Sequence, residues 1–184
     1  MNAADFQPGP LAEVSSRAEA DGRWTLTLVR DLPHRPEQVW AVLTEPARLG
    51  AWAPYTADRD LAATGPATLT MVDGQTPTDL PATVTRADAP HVLAHTWGED
   101  SVLWELQPTP PGTRLTLSQT VEGPQWLAQV AAGWHLCLVV AARLLDGDPI
   151  PPIVGRAAMD YGWEDLRDAY SVRLGTGHDG TAAG

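Results

Sequence analysis

Between Arg23 and Leu32 apolar and polar positions alternate. Trp24, Leu26 and Leu28 fall on one face, and Thr25, Thr27 and Val29 on the other. That two-residue period, carried by β-branched and aromatic side chains, predicts a strand. The period then lengthens. In "HRPEQVWAVLTEPARLGAW", Val39, Trp40 and Leu43 recur at helical spacing, with Pro36 at the first helical position and Glu37 in the first turn. Pro46 interrupts the pattern, and Leu49 and Trp52 anchor the segment after it, so two short helices with a break near Glu45 are predicted. Alternation returns in "ATLTMV", which ends at "DG", and in "LPATVTRAD", "HVLAHTW", "SVLWELQP" and "TRLTLSQTV", each closed by a turn signal. In the last of these Leu115, Leu117, Gln119 and Val121 share a face opposite Thr116, Ser118 and Thr120. Strands with one apolar face form an antiparallel sheet that needs a cover on that side.

The cover is the segment after the last strand. From Trp126 to Ala142 no side chain carries a formal charge, which is the short limit for a membrane span. Gln129, Gly133 and His135 interrupt the run, and no basic cluster flanks it. At helical spacing Trp126, Val130, Trp134, Cys137, Ala141 and Leu144 make one side, widened by Leu127, Ala131, Leu138 and Leu145. Gln129, Ala132, Leu136, Val139 and Arg143 make the other. A helix this apolar is buried nearly all round. It is expected to lie on the sheet with its wide face, leaving Leu136 and Val139 for a second cover. A further amphipathic helix at about 156–174, with Met159, Trp163, Leu166 and Tyr170 on its apolar side and Gly175 as its stop, supplies one. It comes either from the same chain or from a second copy.

Composition changes this picture in three ways. Apolar residues at 43% and charged residues at 19% are ordinary for a globular domain. One domain over residues 22–174 is expected, between polar tails at 1–21 and 175–184. The net charge of −11 argues against nucleic acid and anionic membrane surfaces as partners. The lone Cys137 excludes an internal disulfide and a cysteine-rich metal site. With an N-terminus that lacks a basic region followed by an apolar run, it points to the cytoplasm.

The element order is strand, two short helices, a run of antiparallel strands, then a long helix. It resembles the helix-grip fold of the START-like, or SRPBCC, superfamily. "RDLPHRPEQVWAVLTEPARLGAW", "SVLWELQPTPPGTRLTLSQTV" and "AGWHLCLVVAARLLDGDP" together resemble the branch similar to the C-terminal domain of the activator of heat-shock protein 90 ATPase. The resemblance covers about residues 24–148. It implies an α+β fold, with a curved antiparallel sheet of about six or seven strands wrapped around the long helix.

Between sheet and helix such a fold holds either a ligand cavity or a full core. The side chains expected there are Trp40, Tyr55, Met71, His95, Trp97, Trp104, Trp134 and Cys137, with the choice between Leu103 and Trp104 as the core-facing residue left open. The leading expectation is a binding protein for a small apolar or aromatic ligand. An alternative is an interaction module, homodimeric or docked on a chaperone or regulator, using Leu136, Val139, Trp163 and Tyr170. A third is an aromatase/cyclase-like enzyme of the wider superfamily, with His95, Tyr55 and Glu105 as its polar groups. No nucleophilic constellation, cofactor motif or metal-ligand set is legible. His91 and His95 share a strand face without a third ligand, His135 stands at the edge of the long helix, and Glu105 and Arg114 are expected to pair across a hairpin.

Overall fold

The computed structural model describes residues 3–72 and 76–176. Eight strands form one antiparallel sheet: β1 (Glu13–Ala18), β2 (Trp24–Leu32), β3 (Tyr55–Ala57), β4 (Gly65–Met71), β5 (Thr78–Asp88), β6 (Val92–Trp97), β7 (Asp100–Thr109) and β8 (Gly112–Val121). Their spatial order is β1-β2-β8-β7-β6-β5-β4-β3. The chain therefore crosses from β2 to the far edge before returning strand by strand. Helices α1 (Pro36–Thr44) and α2 (Pro46–Leu49) make that crossing, with Glu45 between them as the pattern predicts. The β7–β8 turn packs against the start of the crossing so closely that a Cβ at Gly112 would stand 2.1 Å from the Leu32 carbonyl oxygen. Thr113 Oγ1 donates to the His34 carbonyl there at 2.6 Å.

The strand alternation is realised. Leu26 and Leu28 on β2, Val102, Trp104 and Leu106 on β7, and Leu115, Leu117, Gln119 and Val121 on β8 are all buried. This makes Trp104, not Leu103, the core-facing residue of its pair. Helix α3 (Leu127–Leu145) closes that face, with α1 beside it. By length and composition the stretch Pro124–Leu145 would pass for a membrane span, but it is placed as a core helix. Its back is covered by α4 (Trp163–Leu174) of the same chain, which also reaches β1.

Several expectations are corrected. The stretch expected as a loose tail at 1–21 is tied to the domain from Phe6 onward. Phe6 is buried with its ring edge-on to Tyr161 at 5.1 Å, and β1 pairs with β2 from Glu13 to Ala18. The helix expected from about 156 begins as a 3-10 stretch, Gly155–Tyr161, and becomes α-helical only at Trp163. Trp126 lies in a short 3-10 turn before α3 and is 44% exposed rather than core-facing. Arg114 does not pair with Glu105. The tight β7–β8 turn sets Glu105 opposite Thr116, and Arg114 instead meets Asp31 of β2 and Glu13 of β1. These exposed bridges contribute at most ~1 kcal/mol each. The turn expected at "DG" and positions 177–184 of the C-terminal tail lie outside the described residues.

Candidate functional site

Trp134, in the middle of α3, is where the core becomes a site. Its ring meets Trp52, Tyr55, Trp97 and Trp104 at centroid separations of 6.2, 6.5, 5.7 and 5.2 Å. Most of these contacts are edge-to-face, the geometry that the ring quadrupoles favour. Its indole N–H donates to Gln119 Oε1 at 2.6 Å. Gln119 Nε2 in turn donates to Asp100 Oδ2 at 2.9 Å, and Arg23 Nη2 binds the other oxygen of the same carboxylate. An indole N–H can only donate and a carboxylate can only accept, so the amide orientation of Gln119 is fixed from both ends.

On the other side of Trp134 is a cavity of about 300 Å³. Trp97, Gln119, Val130, Gly133, Trp134 and Cys137 line it from the sheet and α3, with Pro54 at the edge. The segment after α3 forms its opposite wall with Ile153, Val154, Gly155, Ala158, Met159 and Trp163, and the cavity stays partly open to solvent. No lining residue is an acid, a base or a histidine, and Gln119 Oε1 and the Trp134 N–H already bond each other. Such a wall suits an uncharged, mostly apolar guest, since an unpaired ion there would lose its hydration without replacement.

Of the eight residues expected to face a ligand, Trp97, Trp134 and Cys137 line this cavity. The other five do not. Tyr55 and His95 sit one layer deeper, with the tyrosine O–H donating to His95 Nε2 at 3.2 Å. That assignment follows because His95 Nδ1 faces the Thr96 carbonyl at 3.1 Å and must carry the proton. Burial lowers the His95 pKa and raises that of Tyr55, the nearby Cys137 adding to the latter, so both stay neutral. Met71 accepts from the Trp97 N–H at 3.3 Å, Trp104 is fully buried against Trp52, and Trp40 packs within the core from α1. Each is a packing residue because the aromatic cluster fills the space beneath α3.

Glu105 is exposed on the outer face of β7, away from the buried Tyr55–His95 pair. The expected interaction face is also closed. Leu136 and Val139 of α3 and Tyr170 of α4 are buried within the same chain, and of the four only Trp163 stays half-exposed, with Arg167 stacked over its ring at 5.5 Å. His91 bonds the Leu106 carbonyl at 3.1 Å. Among the described residues no group of His, Cys, Asp and Glu is placed to hold a metal ion.

His135 is the residue whose place the sequence least suggested. It is wholly buried, with Nε2 2.9 Å from the Pro8 carbonyl and Nδ1 2.7 Å from the Tyr170 hydroxyl. The carbonyl requires the proton on Nε2, so the tyrosine O–H donates to Nδ1, while its oxygen accepts from the Ala12 N–H at 2.9 Å. The Arg30 guanidinium lies nearby with Nη1 buried and unpartnered. Among the lining residues absent from the expected set are Gly133 and Gln119. Each had a local signal: the single glycine inside an apolar helix, and the single amide on the apolar face of β8.

Solved structures share this fold. The solution structure of CalU16 from Micromonospora echinospora matches with a TM-score of 0.69 at 17% identity, covering 92% of this chain and 98% of that one. A conserved protein of unknown function from Enterococcus faecalis matches at 0.68 and 19% identity, covering 89% and 91%. An AHSA1-like protein from Aeromonas hydrophila matches at 0.56 and 22% identity, covering 67% and 92%. No curated protein matches the chain in sequence. The fold is that of the helix-grip superfamily. The crossing helices, the sheet from β3 to β8 and the gripped helix α3 all fall within residues 33–145, where the model of the Activator of Hsp90 ATPase homolog 1-like proteins matches, and the chain belongs to that family.

Proposed function

We propose that this protein is a soluble cytoplasmic binding protein that holds one small, neutral, apolar or aromatic ligand in the cavity between α3, β8 and the segment 153–163, without turning it over. The fold is compatible with a small ligand or a protein partner. Burial of Leu136, Val139 and Tyr170 within the chain favours the ligand.

The observation that carries this reading is Gly133. Glycine in a helix interior costs about 1 kcal/mol relative to alanine. Here it stands in the cavity wall, where an added Cβ would meet nothing within 4 Å. A sequence selected only for packing would fill that space and strengthen the helix. Gly133→Ala is expected to raise stability by about 1 kcal/mol, read by urea denaturation. The neutral dye N-phenyl-1-naphthylamine should bind the wild type saturably at one site and quench tryptophan fluorescence. Gly133→Leu should fold and lose that binding. Undiminished binding by Gly133→Leu, or no binding by the wild type, would refute the reading.

A further inference from the structure

The inward row of β8 reads Leu115, Leu117, Gln119, Val121, and the one amide in it is the residue at the cavity wall. A leucine there would pack without further support. The glutamine instead requires the Asp100 carboxylate on one side and the Trp134 indole on the other, and Asp100 requires Arg23, whose Nε is left buried and unpartnered. Partly burying such charged groups lowers stability relative to an apolar core. The arrangement gains something only if the amide has a task. Held from both ends, Gln119 cannot turn, and it keeps one N–H and one carbonyl lone pair beyond the bonds it makes.

We infer that Gln119 is a specificity-determining residue of the cavity, which reads a hydroxyl or carbonyl oxygen on a neutral aromatic ligand. This rests on the ligand-binding reading above and names the ligand class. The aromatic part follows from Trp97, Trp134 and Trp163 in the wall. The neutral part follows from Asp100 directly behind Gln119 and from the lack of a cationic group in the lining, which together reject carboxylates, sulfonates and phosphates. A single oxygen on the ligand rim matches the single fixed amide.

The test compares naphthalene with 2-naphthol on the intact wild-type chain, by calorimetric or fluorescence titration. A purely apolar cavity favours naphthalene, because the naphthol hydroxyl loses its hydration on entry. The inference predicts the opposite sign, with 2-naphthol bound about tenfold more tightly, as one net hydrogen bond allows. Gln119→Met keeps the volume and should reverse the preference while leaving naphthalene affinity within about twofold. Should that variant fail to fold, Asp100→Ala releases one end of the amide and should shrink the naphthol preference. Equal binding of the two probes by the wild type, or tighter binding of naphthalene, overturns the role of Gln119 and leaves the cavity standing. Failure of both probes to bind removes the cavity reading itself.

Discussion

Trp52→Ala is expected to lower the unfolding free energy by about 3–5 kcal/mol, the range for emptying a large buried aromatic site. Trp52 has no exposed surface and stands just after α2, where the chain turns back toward β3. Three losses combine. The indole leaves a void in a core that cannot fully collapse. Its edge-to-face contact with Trp104, at 6.0 Å, and its tilted contact with Trp134, at 6.2 Å, disappear. Its N–H no longer reaches the Val42 carbonyl at 3.0 Å, so that acceptor in α1 is left buried and unpaired. Trp52→Phe keeps a ring but not the hydrogen bond, and should lose about 1–2 kcal/mol. Guanidinium denaturation measures both, and near-UV circular dichroism follows the aromatic cluster. A loss under about 1.5 kcal/mol for the alanine variant would mean that neighbouring rings collapse into the gap. Because Trp134 belongs to both cluster and cavity, Trp52→Ala should also weaken binding of the naphthylamine dye.

The six strands from β2 and from β4 to β8 were legible because each carries a two-residue alternation of its own. The break near Glu45 was legible because Pro46 forces it. What the sequence hides has a common physical reason: it depends on the partner of a segment and not on the segment's own pattern. The strand β1 contains only Val14 and Ala18 as apolar residues, and it exists because the backbone of β2 offers an edge to pair with. The partners of His135 lie 35 and 127 residues away. The error over Glu105 and Arg114 was one of register, which a tight turn sets and composition does not reveal.

The cavity was half legible. Trp97, Trp134 and Cys137 were found from their place on β6 and on the wide face of α3. The space they face is empty because a glycine lies beside Trp134 and because residues 153–163 bridge over the gap instead of filling it. That bridge lies beyond the part of the chain matched by the family model, which ends at residue 145. One wall of the cavity therefore lies within the matched core, and the opposite wall comes from the segment that follows it.

Acid should weaken the protein before its carboxylates titrate, and His135 is the reason. An ordinary histidine takes up a proton near pH 6.5. Burial, and then the Arg30 charge beside it, hold that of His135 down to about 4, although its bond to the Pro8 carbonyl pulls the other way. Its side-chain partner is the Tyr170 hydroxyl, bonded to Nδ1, and the Arg173 guanidinium acts on that tyrosine, its Nη1 reaching the Ala12 carbonyl. Neither offers a negative charge to an imidazolium. The unfolded chain therefore binds the proton first as pH falls. Stability is complete above pH 6.5, declines through the window down to about 4, and is flat below it for this group. The slope is about 1.4 kcal/mol per pH unit, for a total of about 3 kcal/mol. His95, shifted in the same direction by its own burial, adds to the slope with the same sign. His135→Gln keeps an N–H for Pro8 and cannot titrate. Urea denaturation at steps between pH 6.5 and 5, where carboxylates remain ionised, should show the variant flatter than the wild type by about 1.4 kcal/mol per pH unit. Parallel slopes would mean that the folded protein protonates His135 as easily as the unfolded chain, and that the N-terminal arm is not locked onto α3 through a neutral imidazole.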